Sequence, residues 1–210
     1  MENKPSVLIV DDDFTLLKMA SEILRYEYTV SCVTSGAEAL ELMIDDFMPD
    51  IILLDVEMPE MNGFEMLQQV RKIEDAEEVP VIFLTGVSKT ETELRGFSSG
   101  AVDYITKPFV RDVLLARIRV HLENGRRLRQ LSIMEKKEKN GGIDGKEFER
   151  IAESLTGTEK KILRLIIGGY SNQEIAQELC YTYNYVKKVI GVIYEKKYVN
   201  KRTDLIKLFK

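Results

Sequence analysis

The chain has 210 residues, 44% of them hydrophobic and 31% charged, with a formal net charge of −5, a balance that excludes disordered and fibrous proteins. It has no apolar stretch near the roughly 18 residues of a membrane helix, no secretory pattern at its amino terminus, and only two cysteines, which lack metal-ligand spacing. We therefore expect a cytoplasmic protein with no membrane association.

Through residue 124, short apolar runs alternate with longer amphipathic stretches, the pattern of helices that cover both faces of a parallel sheet. The apolar runs predict five strands: Ser6–Val10, Thr29–Val33, Asp50–Leu54, Val79–Leu84 and Ala101–Ile105. The stretches between them predict helices near 14–26, 36–46, 63–75 and 91–98, with another beginning near residue 109. Because the first, third and fourth runs are continuously apolar, those strands should be central. The predicted fold is a five-stranded, doubly wound α/β domain.

The rest of the chain is predicted to be helical. Residues 110–139 contain one glycine and no proline, so a helix can continue beyond the sheet domain, either as a dimerising coiled coil or as a solvated linker. After the helix-breaking segment at 140–145, helical patterns recur near 147–153, 158–168, 172–179 and 183–197, with a last one from Thr203. We therefore predict an α/β domain over 1–124, a helical linker over 125–145, and a smaller all-α domain over 146–210 that contains a helix-turn-helix.

The two predicted domains differ in the sign of their charge. Residues 1–124 contain 11 basic and 24 acidic side chains, whereas residues 145–210 contain 13 basic and 8 acidic ones. An acidic first domain and a basic second domain indicate different partners. The second domain is a candidate for binding a polyanion.

Helix-capping residues mark several of the predicted helix starts. Asp13 is expected to cap the first helix, because its carboxylate can accept hydrogen bonds from the first free backbone amides. A hydroxyl residue followed three positions later by a glutamate forms a capping box, which satisfies two such amides. This pattern occurs at four places: Ser35 with Glu38, Thr90 with Glu93, Thr156 with Glu159, and Ser171 with Glu174.

Polar residues follow the predicted strands at their carboxyl ends, where ligands bind in open parallel sheets. Asp11 and Asp12 follow the first strand, Asp55 the third, Thr85 the fourth and Lys107 the fifth. Carboxylates brought this close repel one another and favour a hard cation such as Mg²⁺. A carboxylate can also attack phosphorus when the charge on the phosphoryl oxygens is neutralised. The arrangement therefore predicts a magnesium-dependent site that accepts a phosphoryl group.

Four motifs in this region resemble the response regulator receiver domain, which has a flavodoxin-like fold. They are VLIVDDD at 7–13, DVEMPEMNG at 55–63, FLTG at 83–86 and DYITKPF at 103–109, and the resemblance covers about residues 5–124. It implies that Asp55 accepts a phosphoryl group from a sensor histidine kinase. The other implied roles are Mg²⁺ binding by Asp11, Asp12, Asp55 and the Glu57 backbone carbonyl, phosphoryl binding by Lys107, and switching by Thr85 with Tyr104. A cis peptide between Lys107 and Pro108 is also implied.

Residues 155–206 resemble the LuxR-type helix-turn-helix, from LTGTEKKILRLIIGGYSNQEIAQEL at 155–179 to NKRTDLI at 200–206. The resemblance implies that the helix predicted over 183–197 enters the major groove of promoter DNA. Lys187 and Lys188 are then the candidate base contacts. Candidate phosphate contacts are Asn172, Thr182, Tyr185, Lys196 and Arg202. We expect a homodimer when the protein is phosphorylated.

The sequence thus predicts a transcription factor controlled by phosphorylation, with no enzymatic turnover of its own. The helix predicted to read DNA departs from the LuxR-type pattern in four places: Val189 stands for a histidine, Tyr185 for a threonine, Glu195 for a basic residue, and Gly191 leaves no side chain in mid-helix. These departures keep open an alternative, a helical domain that binds a protein or RNA. A third interpretation, a metal-dependent phosphatase, lacks an apparent second catalytic base.

Overall fold

The computed structural model describes residues 4–44, 47–73, 75–86, 100–139 and 145–209. The helix predicted near 91–98 and the capping box of Thr90 with Glu93 lie outside these residues. The chain forms two compact units, Met1–Arg126 and Arg127–Lys210. Among the described residues, no helix is both long enough and apolar enough to cross a membrane.

The first unit is built on a parallel sheet. Its five strands are β1 (Ser6–Val10), β2 (Thr29–Val33), β3 (Ile51–Asp55), β4 (Val81–Thr85) and β5 (Asp103–Thr106). Their order across the sheet is β2-β1-β3-β4-β5, and every neighbouring pair is parallel. The strands predicted to be central, β1, β3 and β4, occupy the three inner positions.

Helices cover both faces of this sheet. They are α1 (Phe14–Leu24), α2 (Gly36–Ile44), α3 (Gly63–Val70) and the first part of α4 (Arg111–Lys139). Along β1, Leu8 and Val10 pack in one hydrophobic cluster with α2 and α3, whereas Val7 and Ile9 pack in a second cluster with α1 and α4. Each of these four side chains is fully buried, which stabilises the fold by about 1.5–3 kcal/mol per side chain. The prediction of a doubly wound sheet is confirmed.

Several element boundaries differ from the predicted ones. Strand β3 begins one residue late, at Ile51. The preceding Asp50 is bonded to Ser6 of β1: its carboxylate accepts from the Ser6 backbone N–H at 2.8 Å, and its own N–H donates to the Ser6 carbonyl at 2.9 Å. Strand β4 begins two residues late, after Pro80, which has no backbone N–H to donate. Helix α3 ends at Val70, before its predicted end. The Arg71 guanidinium then donates hydrogen bonds to three backbone carbonyls of the following loops, those of Ala76, Val79 and Gly100.

The caps of α1 and α2 use the residues that the sequence indicated. Asp13 Oδ1 accepts a hydrogen bond from the Thr15 backbone N–H at 2.8 Å, so its predicted capping role is confirmed. Ser35 Oγ accepts from the Glu38 backbone N–H at 3.2 Å. The Glu38 carboxylate accepts from the Thr34 N–H at 3.0 Å, one residue before the predicted donor. In the capping box of α2, the Glu38 carboxylate therefore bonds to the Thr34 N–H instead of the Ser35 N–H.

The second unit is helical. It contains the end of α4 together with α5 (Gly145–Ile151), α6 (Gly157–Ile167), α7 (Asn172–Leu179), α8 (Tyr183–Lys197) and α9 (Arg202–Lys207). The capping boxes predicted for α6 and α7 are both complete. A single hydrophobic cluster forms the core, and its largest fully buried members are Phe148 and Tyr170. The linker predicted over 125–145 is helical through Lys139.

Helices α7 and α8 form the predicted helix-turn-helix, with three residues between them. The turn begins at Cys180, whose φ of 55° is left-handed, and the Tyr181 backbone N–H donates to the Ala176 carbonyl at 2.9 Å. Thr182 then caps α8. The buried face of α8 includes Val186 and Ile190, so its opposite face is left for solvent.

Candidate functional site

Three carboxylates converge at the carboxyl ends of β1 and β3. Asp11 and Asp12 follow β1, and Asp55 is the last residue of β3. One oxygen from each of them lies within 4.8 Å of the other two. Asp11 and Asp55 are buried, whereas Asp12 is exposed. The structure therefore brings together the acidic residues that the sequence predicted to meet.

Lys107 bridges the two buried carboxylates. It follows β5, and the peptide bond to Pro108 is cis, as the resemblance implied. The Lys107 backbone N–H donates to the Thr85 carbonyl at 2.7 Å, which ties the loop to the end of β4. Its Nζ lies 2.6 Å from Asp11 Oδ2 and 2.9 Å from Asp55 Oδ2. A single cation is thus shared between two acids from neighbouring strands.

Burial and charge set the protonation of this pair. Burial raises the pKa of Asp55, and the neighbouring Asp11 charge adds to the increase, although the Lys107 ammonium opposes both. Burial acts to lower the pKa of Lys107, but its hydrogen bonds to the two carboxylates outweigh this effect and raise it above the ordinary 10.5. Lys107 is therefore positively charged at neutral pH, where it offsets part of the acidic charge.

Close packing of α3 against β3 holds the Asp55 backbone in place. The Val56 backbone N–H donates to the Leu84 carbonyl at 3.1 Å, and the Gly63 N–H donates to the Val56 carbonyl at 3.0 Å. A Cβ atom built on Gly63 would lie 2.3 Å from the Asp55 carbonyl oxygen. Only glycine allows α3 to approach the strand end so closely.

The predicted switch residues lie on neighbouring strands. Thr85 ends β4 and is buried, and Tyr104 lies in β5 with only 8% of its surface exposed. The Tyr104 ring is 5.6 Å from the ring of Phe83, its partner across the sheet, and Phe83 is 5.0 Å from Phe64 of α3. Tyr104 is thus part of a chain of three packed aromatic rings in the core.

The acidic cluster fits a small hard cation. Its donors are carboxylate oxygens, which suit Mg²⁺ better than softer metals. Because Asp12 is exposed, a cation held there can keep water ligands, as Mg²⁺ usually does. The backbone carbonyl of Glu57 follows Asp55 by two residues, and its predicted part in metal binding stays a prediction.

The predicted DNA-binding residues divide into two groups. Thr182, Tyr185 and Lys188 are exposed at the amino-terminal half of α8, and Lys187 is partly exposed. Thr182 Oγ1 accepts a hydrogen bond from the Tyr185 backbone N–H at 3.3 Å, which closes the first turn of the helix. These residues share the surface that the helix-turn-helix leaves open.

The second group makes hydrogen bonds inside the domain. Lys196 Nζ lies 2.8 Å from both carboxylate oxygens of Glu159, which is buried in α6. Arg202 donates to the Tyr170 carbonyl and to Asn172 Oδ1, and Asn172 is itself buried. These contacts join α6, α7, α8 and α9. Asn172, Lys196 and Arg202, which were predicted to bind phosphate, therefore stabilise the second unit. Their phosphate-binding role stays a prediction.

Sequence reasoning missed one feature of this surface. Tyr181 and Tyr185 form an edge-to-face pair, with ring centroids 4.9 Å apart and ring planes at 66°. Both rings are exposed, 37% for Tyr181 and 44% for Tyr185. The available signal was the YTYNY segment at 181–185, which places three tyrosines at the start of a helix predicted to contact DNA.

Two protein families match the chain over separate regions. The response regulator receiver domain family matches residues 7–119. The luxR family of bacterial regulatory proteins matches residues 153–209. The first match contains the acidic cluster and Lys107, and the second contains helices α6 to α9.

Individual relatives agree with these two matches. A probable transcriptional regulator, ycf29, from Porphyra purpurea is 30% identical over 203 residues, which are 96% of this chain and 93% of the relative. The solved structure of the response regulator StyR has a TM-score of 0.53 and 28% identity, with 98% of each chain covered. A probable cyclic di-GMP phosphodiesterase from Vibrio cholerae is 41% identical over 121 residues, 58% of this chain. This chain spans only 27% of that phosphodiesterase.

Proposed function

The chain belongs to the response regulator family and is a phosphorylation-regulated DNA-binding regulator, and from that premise we propose that Asp55 accepts the phosphoryl group. The supporting observation is the position of Lys107, whose Nζ contacts both buried carboxylates, at 2.6 Å and 2.9 Å. A fixed cation beside a buried carboxylate is what an aspartate needs in order to react with an anionic phosphoryl donor.

The proposed reaction transfers a phosphoryl group from a sensor histidine kinase. An Asp55 carboxylate oxygen attacks phosphorus, a new P–O bond forms, and the P–N bond to the kinase histidine breaks with its electron pair left on nitrogen. The Lys107 ammonium neutralises charge on the phosphoryl oxygens, and the Thr85 hydroxyl donates a hydrogen bond to one of them. Mg²⁺ held by Asp11, Asp12, Asp55 and the Glu57 carbonyl supplies further neutralising charge when it is bound.

The proposed switch passes from Thr85 to Tyr104. A phosphoryl group adds roughly 1.5–2 negative charges and three acceptor oxygens, which draw Lys107 and Thr85 toward Asp55. Thr85 lies two residues after Phe83, whose ring contacts Tyr104. A shift at the end of β4 therefore changes the packing of the Tyr104 ring. Such a change biases an existing equilibrium between two conformations.

The proposed output is binding of promoter DNA by α8. Its amino-terminal half would enter the major groove, with Lys187 and Lys188 nearest the base edges and with Thr182 and Tyr185 against the backbone. We further propose that phosphorylation favours a homodimer, because a dimer doubles the contact with DNA and offsets the small number of cations on each α8.

Substitution of Asp55 tests the acceptor assignment. Asp55→Asn keeps the shape of the side chain but removes the nucleophilic carboxylate, so labelling by radioactive acetyl phosphate with Mg²⁺ should be lost. Asp13→Asn is the matched control, because asparagine caps a helix as well as aspartate does and the variant should be labelled normally. Labelling of Asp55→Asn at the wild-type rate would mean that another residue is the acceptor.

Salt dependence separates DNA binding from the alternative of a protein or RNA partner. The phosphorylated full-length protein should bind duplex DNA with an affinity that falls linearly with the logarithm of salt concentration, because each phosphate contact releases counterions. The unphosphorylated protein should bind more weakly. If neither form binds any duplex while the phosphorylated form binds structured RNA, the DNA assignment is wrong.

A further inference from the structure

The exposed face of α8 has an unusual composition for a DNA-reading helix. The helix Tyr183–Lys197 contains four lysines but no arginine, so it lacks the planar guanidinium fork that matches guanine O6 and N7. Exposed side chains at its amino-terminal end include Tyr181, Asn184, Tyr185 and Lys188. Farther along this face Glu195 is exposed and carries the opposite charge to Lys188. Besides Lys187 and Lys188, this end of the face therefore presents mainly uncharged amide and aromatic groups.

The two tyrosine rings are held in position by the turn and by each other. The Tyr181 backbone N–H donates to the Ala176 carbonyl at 2.9 Å, and the Tyr185 N–H donates to Thr182 Oγ1 at 3.3 Å. The rings then pack edge to face, with centroids 4.9 Å apart. The pair lies at the surface of the domain and leaves a substantial part of each ring in contact with water. An ordered, partly apolar surface is thus presented at the point where the helix begins.

In the major groove this surface matches A·T base pairs. Thymine is distinguished there by its C5 methyl group, which apolar and aromatic side chains contact, and adenine offers N6 and N7 to an asparagine amide. Asn184 is exposed one residue before Tyr185, so amide and aromatic groups occupy adjacent positions on the first turn. Neither group offers the pair of cationic donors that guanine accepts.

We propose that α8 reads A·T-rich duplex DNA, with the Tyr181–Tyr185 pair against thymine methyl groups and Asn184 on adenine, so that Tyr185 contacts bases instead of the phosphate backbone assigned to it above. This inference rests on the proposed DNA-binding function and states which sequences it selects. The ring geometry favours a duplex over a single strand, because two rings at 66° give no parallel platform on which successive bases could stack.

Selection followed by removal of single methyl groups tests the proposal. Duplexes bound by the acetyl phosphate-treated full-length protein are selected from a random 20-base-pair pool, and they should be rich in A·T pairs. A selected duplex is then remade with deoxyuridine in place of thymidine, which removes only the methyl group. We expect the affinity to fall about fourfold for each contacted methyl.

The variant Tyr185→Ala links the methyl effect to the ring pair. It should bind the thymine duplex more weakly and should no longer distinguish it from the deoxyuridine duplex. Tyr198→Ala is the control, because Tyr198 is 97% exposed at the other end of the same helix and should keep the full methyl effect. Comparing the affinities of the wild-type protein for the two duplexes needs no substitution. This comparison tests the methyl contact even if Tyr185→Ala fails to fold.

Each result has a distinct meaning. Selection of A·T-rich duplexes with a methyl effect that Tyr185→Ala abolishes supports the proposal. Selected duplexes that bind equally well with deoxyuridine, or that are rich in G·C pairs, overturn it and leave DNA binding intact. A preference for single-stranded over duplex DNA overturns it in favour of base stacking. Failure to bind any nucleic acid overturns the DNA-binding function itself.

Discussion

The glycine at the first position of α3 offers a direct test of how the Asp55 strand end is held. In Gly63→Ala, the new Cβ would lie 2.3 Å from the Asp55 carbonyl oxygen and 3.1 Å from the Phe83 ring atom Cε1. Carbon atoms at rest pack at about 3.5–4.0 Å. The nearest neighbour is backbone, so no side-chain rotation can relieve the contact, and α3 or the Asp55 peptide must move by roughly 1 Å.

The size of the effect follows from two opposing contributions. Replacing glycine by alanine stabilises a protein by about 0.4–1 kcal/mol where the conformation is compatible, because the unfolded chain loses freedom. Overpacking of a tight site costs about 1–3 kcal/mol. We therefore expect Gly63→Ala to lower the free energy of unfolding of the first unit. Gly157→Ala is the matched control: Gly157 is the first residue of α6, and no atom of the described residues lies within 4 Å of its added Cβ.

Hydrogen exchange measured by mass spectrometry is the appropriate assay, because the two units need not unfold together and exchange reports on each segment separately. Peptides from β3 and α3 should exchange faster in Gly63→Ala, and labelling of Asp55 by acetyl phosphate should slow as its peptide is displaced. Peptides from α6 should exchange more slowly in Gly157→Ala. If both variants slow exchange equally, the close approach of α3 to β3 is not a feature of the protein.

Two further predictions concern the second unit. Burial opposes ionisation of Glu159, but the contacts with Lys196 and with Thr156 outweigh it and lower the pKa below the ordinary 4.5. These contacts therefore stabilise the fold above pH 4.5, and the stabilisation is lost as the pH falls through the folded-state pKa of Glu159. When unfolding is measured across an acid titration, Glu159→Gln should lose less stability than the wild-type protein. Gly191→Ala should stabilise α8 by about 1 kcal/mol, since the part of the chain that the structure describes has no atom within 4 Å of the added Cβ. An unchanged thermal midpoint would contradict this.

The fold was predictable where burial alone decides it. Strands β1, β3 and β4 are apolar at consecutive positions because both of their faces are covered, and this pattern is visible in the sequence. Element ends were less predictable, because they depend on single contacts. Pro80 lacks a backbone N–H, and β4 begins directly after it, a limit that the run of apolar residues from Val79 does not show.

The acidic site was predictable for a topological reason. Parallel strands place their carboxyl ends at one edge, so Asp11 and Asp55 had to be neighbours once β1 and β3 were adjacent. The sharing of Lys107 between them was not predictable, because sequence does not give side-chain conformations. The same limit applies to α8, where Lys196 resembles any surface lysine until Glu159 is placed beside it. The capping box that contains Glu159 was the signal, since it fixes the carboxylate at the start of α6.

Formal charge explains why Lys107 cannot serve the site alone. The lysine already offsets one charge between two buried carboxylates. Phosphorylation at Asp55, as proposed, would replace its single charge by roughly 1.5–2 negative charges, so the site would become more negative by roughly half to one charge. Lys107, the fixed cation that contacts Asp55 among the described residues, would be unchanged. Asp11 is fully buried, and solvent cannot screen that increase well. The proposed phosphorylated state would therefore need a cation in the acidic cluster beside Lys107 even more than the resting state does.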